Sequence, residues 1–283
     1  MNFTGDSSYD RVLTGAIAMT ALMLSQAKHQ AKAEYGKYGG RASAGVSLDP
    51  RLGWFLMELP ASVAFLYSFH RGRKRKQARE RAETDLAKKT QGPSGWMPYF
   101  LLALWCRHYA NRGFLFPLSL RVAKGSKQSF ALYNSLIGAC FVGVHGYLNG
   151  RMFSELGTRY TDAWFRDPRF IVGWLLYEAG FWATVHSEHV MRNLRPLDGV
   201  VSEAERYKIP YGGLYEYVTN APYLGELGAW LGFLVMTWSP SAVPVFLISL
   251  ANLVPRALEQ HKWYLKKFPS YPKDRTALIP FVL

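Results

Sequence analysis

Seven apolar blocks, separated by clusters of charge, constrain this chain more than any other feature. They lie near residues 12–28, 52–69, 96–117, 130–149, 169–191, 215–238 and 241–263. A helix needs about 20 apolar residues to cross a bilayer, and each block reaches or approaches that length. In hydrocarbon a chain must satisfy its own backbone hydrogen bonds, so such segments fold as helices. The pattern predicts an all-α, polytopic integral membrane protein with seven transmembrane helices, one domain over residues 1–283. Mean hydropathy is near zero, which alone would suggest a soluble protein. The average hides the blocks, because the charges sit between them. Between the second and third blocks, "HRGRKRKQARERAETDLAKKTQ" (70–91) is poor in apolar residues. It reads as a basic loop insertion, solvated or forming a short exposed helix.

The N-terminal block "VLTGAIAMTALML", with "AKA" after it, has the outline of a signal peptide. Its leader carries Asp6 and Asp10 against Arg11 alone. That is the wrong charge for a signal, so a retained first helix is expected. Seven spans put the termini on opposite sides. The side shared by the C-terminal tail holds more Lys and Arg, which makes it the cytoplasmic side. The basic 70–91 stretch falls on the other side and counts against that assignment.

The formal net charge is +14. Nucleic acid, an acidic membrane surface and a phosphorylated ligand would each account for it. The 70–91 stretch has no interleaved aromatics to stack on bases, so no nucleic-acid partner is expected. Nine Trp suit membrane interfaces. Cys106 and Cys140 give neither a disulfide framework nor a metal spacing. His186 and His189 are one helical turn apart, but no acidic or cysteine set completes a metal site, and none is expected. No GxGxxG, Walker or HExxH sequence is present.

Polar residues inside apolar blocks are costly unless paired or facing a cavity or ligand. Glu58, in "GWFLMELPASVAFLY", has no basic residue within a turn. The competing reading is a helix-end carboxylate reaching water before Pro60. In "CRHYANRGF", helical spacing puts Tyr109 and Arg112 on a common face, while Arg107 reads as part of an interfacial belt. In "RYKIPYGGLYEYVTNAPYLGELGAWLG", Pro210 and Gly212-Gly213 make a turn. The helix after it carries Glu216, Asn220 and Glu226. Gly225, Gly228 and Gly232 permit close helix approach, which simple helix packing would explain for the last two.

These segments resemble a known family. "YKIPYGGLYEYVTNAPYLGE" and "RALEQHKWYLKKFPSYPKDRTALIPF" are similar to the C-terminal half of the steroid 5α-reductases. "WFLMELP" and "HYANRGF" resemble that family's two catalytic segments. The similarity runs from about Tyr35 to the end, apart from 70–91. It implies that Glu58 and Tyr109 hold the steroid 3-keto oxygen. It implies that Arg112, Arg192, Arg195, Tyr207, Lys208, Glu226, Arg256, Tyr264 and Arg275 serve NADPH or its loop, with Tyr35, Glu188 and Trp230 as additions. Four positions depart from the family pattern. Asp is usual at Glu188, Asn at Pro222, His at Gln260 and Gln at Met57.

The implied reaction is conjugate reduction of a 3-oxo-Δ4-steroid to the 5α-3-oxosteroid, with hydride delivered to C5. Charge then builds on the C3 oxygen, and a site must donate hydrogen bonds to it. Tyr109 donates through its hydroxyl. Glu58 donates when protonated, the form that an apolar pocket favours. A tyrosine beside a neutral carboxylic acid is a known device for steroid enolates. The expected partners are a steroid from the bilayer and membrane lipid, with the protein a monomer. The expected location is the inner membrane for a bacterial chain, which we favour, or the endoplasmic reticulum for a eukaryotic one. The alternatives are a reductase of another sterol or enoyl substrate, and a lipid or prenyl methyltransferase of related fold.

Overall fold

The computed structural model describes residues 2–27, 46–86, 95–122, 130–195 and 207–283. Tyr35 lies outside the described residues, as do residues 87–91. Each apolar block holds a helix. The first two are α1 (Ser7–Ser25) and α2 (Pro50–Leu86). The third is α3 (Met97–Tyr109), a π-helical turn (Ala110–Leu115) and the short α4 (Phe116–Ser119). The others are α5 (Leu132–Arg151), α6 (Pro168–Asn193), α7 (Ala221–Thr237) and α8 (Ala242–Lys267). A two-residue antiparallel pair, β1 (Ser47–Leu48) with β2 (Phe130–Ala131), ties the start of α2 to the start of α5. Among the described residues, two helices, over Pro50–Ala82 and Ala242–Lys267, are by themselves long and apolar enough to cross a membrane. Val63, Leu66, Leu136, Val172, Leu175 and Trp182 point outward and are exposed. Such a surface suits lipid better than water.

Glycines set the helix pairing. A Cβ on Gly180 would lie 2.3 Å from the Ala229 nitrogen, and one on Gly232 2.3 Å from the Tyr177 nitrogen. A Cβ on Gly225 would meet Thr184 at 2.6 Å, whereas at Gly228 the nearest atom is an ordinary 3.6 Å away. Backbones of α6 and α7 therefore touch along three of these four positions, as small residues allow. Helices α2 and α5 repeat the device, with Gly146 against the Ala61 carbonyl and Gly150 against that of Phe65. Aromatic rings fill the space between the pairs. Trp105 stacks on Phe65 at 4.8 Å and donates to the Ala61 carbonyl, and Trp230 and Phe233 close over it.

Two expectations change. First, α2 does not stop at residue 69 but continues as helix through Leu86. From Arg73 to Leu86 the sequence is mostly good helix formers, with no glycine or proline. The extension also has a docking point. The Glu155 side chain, in a second π-helical turn (Met152–Leu156), is fully buried and takes two hydrogen bonds from Arg75, at 2.8 and 3.0 Å. Arg79 lies 3.7 Å away, and Arg151 joins Glu155 to Asp6. Second, the sixth block is not helical from residue 215. Gly212 and Gly213 have φ of +95° and +59°, a 3-10 turn covers Gly213–Glu216, and α7 begins only at Ala221. Glu216 and Asn220 thus precede the helix expected to carry them. The Asn220 amide donates to the carbonyls of Ala257 and Ala277, pinning the chain there.

The molecule has two distinct ends. One holds the α2 extension, the Glu155 turn and the start of α6. Asp167 caps α6 there by accepting from the Arg169 backbone N–H. Its carboxylate also pairs with the Arg169 guanidinium, which holds the carboxyl down to about 2. The other end holds the ends of α6 and α8 and the start of α7. Arg121 and Arg195 mark it, each guanidinium donating to the other's backbone carbonyl.

Candidate active site

A cavity of about 1040 Å³ opens among α2, α3, α5, α6, α7 and α8. That is at the upper limit for one drug-sized ligand. Arg112 is its centre. The π-helical turn after Tyr109 adds a residue to the helical repeat, a feature frequent at functional sites, and both Tyr109 and Arg112 line the wall. The Arg112 guanidinium reaches three carboxylates from three helices. Nε is 3.4 Å from Glu58 on α2, Nη1 is 3.6 Å from Glu188 on α6, and Nη2 is 3.3 Å from Glu226 on α7. Its plane covers the Trp54 ring at 4.6 Å. Glu58 is 5% exposed, so it is a cavity-wall group and not a carboxylate reaching water beyond the helix end. Around this guanidinium one cation faces three formal carboxylates, a local acidic excess set against the arginines elsewhere on the cavity wall.

Tyr109 is buried and sits against Trp105 at 4.9 Å, with the Trp230 ring at 6.4 Å. His108 is turned toward α6 and α7. Its Nδ1 lies 3.2 Å from the Tyr177 hydroxyl, and its ring lies 4.3 Å from Trp230. Arg107 is half-exposed and has its own partners. It pairs with Glu178 and lies over the Phe181 ring at 4.6 Å.

The mouth of the cavity is cationic. Arg192, Arg195 and Arg256 line it. Arg192 Nε is buried without an acceptor among the described residues. These guanidiniums suit an anionic ligand with phosphate groups. Tyr207, Lys208, Tyr264 and Arg275 do not line the cavity. Tyr207 and Tyr264 belong to an aromatic group with Trp263 and Tyr271. Lys208 is exposed. Arg275 is buried between Tyr211 and Tyr271 and donates to the Pro210 carbonyl, so it holds the turn that precedes α7. His186 lies against Gly213, and His189 hydrogen-bonds Arg192 and Asn193.

Comparison with known proteins places the chain. The family model for 3-oxo-5-alpha-steroid 4-dehydrogenase matches residues 128–283. The mouse 3-oxo-5-alpha-steroid 4-dehydrogenase 1 is 36% identical over 250 residues, covering 88% of this chain and 87% of the relative. The human 3-oxo-5-alpha-steroid 4-dehydrogenase 2 is 35% identical over 275 residues, 96% of each chain. The chain belongs to the 3-oxo-5-alpha-steroid 4-dehydrogenase family. The tomato steroid 5-alpha-reductase DET2 is 33% identical over 249 residues, 88% of this chain and 87% of the relative. As a member of the 3-oxo-5-alpha-steroid 4-dehydrogenase family, the chain is an oxidoreductase.

All of Met57, Glu188, Pro222 and Gln260, the departures from the family pattern, line the cavity. Met57 packs over Gly138, where a Cβ would lie 2.4 Å from its Cγ. Sequence reading missed two polar groups on α5. Asn134 and His145 both line the cavity, and the Asn134 amide nitrogen is buried with no acceptor among the described residues. Their signal was a polar residue inside an apolar block, the same one that drew attention to Glu58.

Proposed function

We propose that this enzyme reduces the Δ4 double bond of 3-oxo-Δ4-steroids to give 5α-3-oxosteroids, using NADPH. The observation that carries the reading is the meeting of Glu58, Tyr109 and Arg112 in one large cavity whose mouth is lined by arginines. The family uses a nicotinamide cofactor, and the mouth suits one. Arg192, Arg195 and Arg256 would hold its phosphates, with Glu188 and Glu226 fixing Arg112 beside them. When bound, the cofactor supplies the hydride that reaches steroid C5.

The chain's own residues supply position and charge. Tyr109 donates a hydrogen bond to the steroid C3 oxygen as negative charge develops there. Protonated Glu58 donates a second. One Glu58 oxygen faces Arg112, which leaves the other to carry the proton. Donors fixed in advance in a dry site cost little reorganisation during the reaction. Trp54, Met57 and the apolar face of α5 would hold the steroid body and exclude water. The C4 proton comes from water.

We further propose that all seven apolar blocks cross the bilayer, with the protein a monomer taking steroid from the lipid phase. Incubation of the purified protein with NADPH and testosterone or progesterone tests the reaction. A 5α-reduced product is expected. Recovery of unchanged steroid from folded protein that binds NADPH would overturn the substrate class.

A further inference from the structure

We propose that the part of α2 beyond residue 70 binds anionic lipid headgroups, in the leaflet opposite the cavity mouth. Seven of the eleven residues from Arg71 to Arg81 are Lys or Arg, against one acid, Glu80. A helix of 37 residues is about 55 Å long, well over the ~30 Å of hydrocarbon. Its basic part therefore leaves the bilayer. Exposed aromatics mark where it does so. Tyr67 is 60% exposed and Trp96 77%, and such rings prefer the headgroup level.

These cations differ in their partners, and Lys76 lies 4.0 Å from Glu80. Arg75 and Arg79 are used by buried Glu155 and hold the helix in place. Arg71, Arg73 and Lys74 have no carboxylate partner among the described residues. Arg71 donates to the Tyr67 hydroxyl at 2.7 Å. Arg73 is 7% exposed and lies over the Tyr99 ring at 5.3 Å, with Nε and Nη1 lacking an acceptor among the described residues. A buried guanidinium without a counter-charge is costly. The exposed Arg71 and Lys74 are the groups that a lipid phosphate at the aromatic level can touch, and Lys and Arg near a membrane attract anionic lipid.

The test uses the full chain in nanodiscs of phosphatidylcholine, with or without phosphatidylglycerol, and reads the thermal unfolding midpoint. Wild type should unfold at a higher temperature in the anionic discs, and high salt should shrink the difference. In the exposed double variant Arg71→Gln/Lys74→Gln, that difference should fall by at least half, with steroid reduction in neutral discs unchanged. An equal difference in wild type and variant overturns the proposal. An equal rise on adding inorganic phosphate to neutral discs overturns the lipid assignment.

Discussion

Replacing Glu58 by glutamine leaves an N–H donor in the cavity, and replacing it by alanine leaves none. Glu58→Gln is therefore expected to keep measurable turnover, while Glu58→Ala loses about a hundredfold or more, the usual effect of removing an oxyanion donor. Steady-state rates of the two variants check this, and equal near-wild-type rates would remove Glu58 from the proposed role. Tyr109→Phe keeps the ring against Trp105 and removes only the hydroxyl. It should lower kcat strongly and leave NADPH affinity nearly unchanged, as measured by cofactor titration. The arginines and lysine of the C-terminal half separate on structural grounds. Arg195 lines the cavity mouth and Lys208 does not. Arg195→Ala should raise the KM for NADPH more than the KM for steroid, and Lys208→Ala should raise it less than Arg195→Ala does.

Helices α6 and α7 deliver Glu188 and Glu226 to Arg112, and their spacing depends on glycine. A Cβ at Gly180 meets backbone, at 2.3 Å from the Ala229 nitrogen and 2.5 Å from the Gly225 carbonyl oxygen. Backbone cannot swing aside, so the helices must separate. Gly180→Val is expected to cost about 1–3 kcal/mol, the usual range for overpacking. It should also lower turnover, because it moves one carboxylate relative to the other. Thermal unfolding and steady-state rates measure the two effects. At this scale the sequence was informative about existence and less so about limits. The glycines of "YLGELGAWLG" announced close helix packing. The start of α7 was not legible, because it depends on Asn220 bonding carbonyls of Ala257 and Ala277, far along the chain.

Across the whole molecule, the basic α2 extension and the cavity mouth lie at opposite ends. Changes in the first should therefore affect stability more than catalysis. Arg75→Gln/Arg79→Gln leaves buried Glu155 with Arg151 alone. The double variant is expected to lose about 1–2 kcal/mol, discounted because both arginines are largely exposed. Steroid turnover of the folded fraction should stay within a few-fold. A loss of turnover at unchanged stability would tie the extension to the substrate site.

The order of helices followed from the sequence, since a run of about 20 apolar residues has few other solutions in lipid. That Glu58 and Tyr109 line one cavity was expected from the family resemblance, because local motifs persist in order along a chain. Tertiary structure decided what no local motif contains. It gave Arg112 three carboxylate partners from three helices, because charge in an apolar interior must find counter-charge wherever the fold brings it. It set Arg275 and Tyr264 behind the cavity wall, beside Tyr271 and the Pro210 turn. It also decided that the basic stretch, read as a loop or a short exposed helix, continues α2 through Leu86, because Glu155, some eighty residues later, offers its arginines a buried anion.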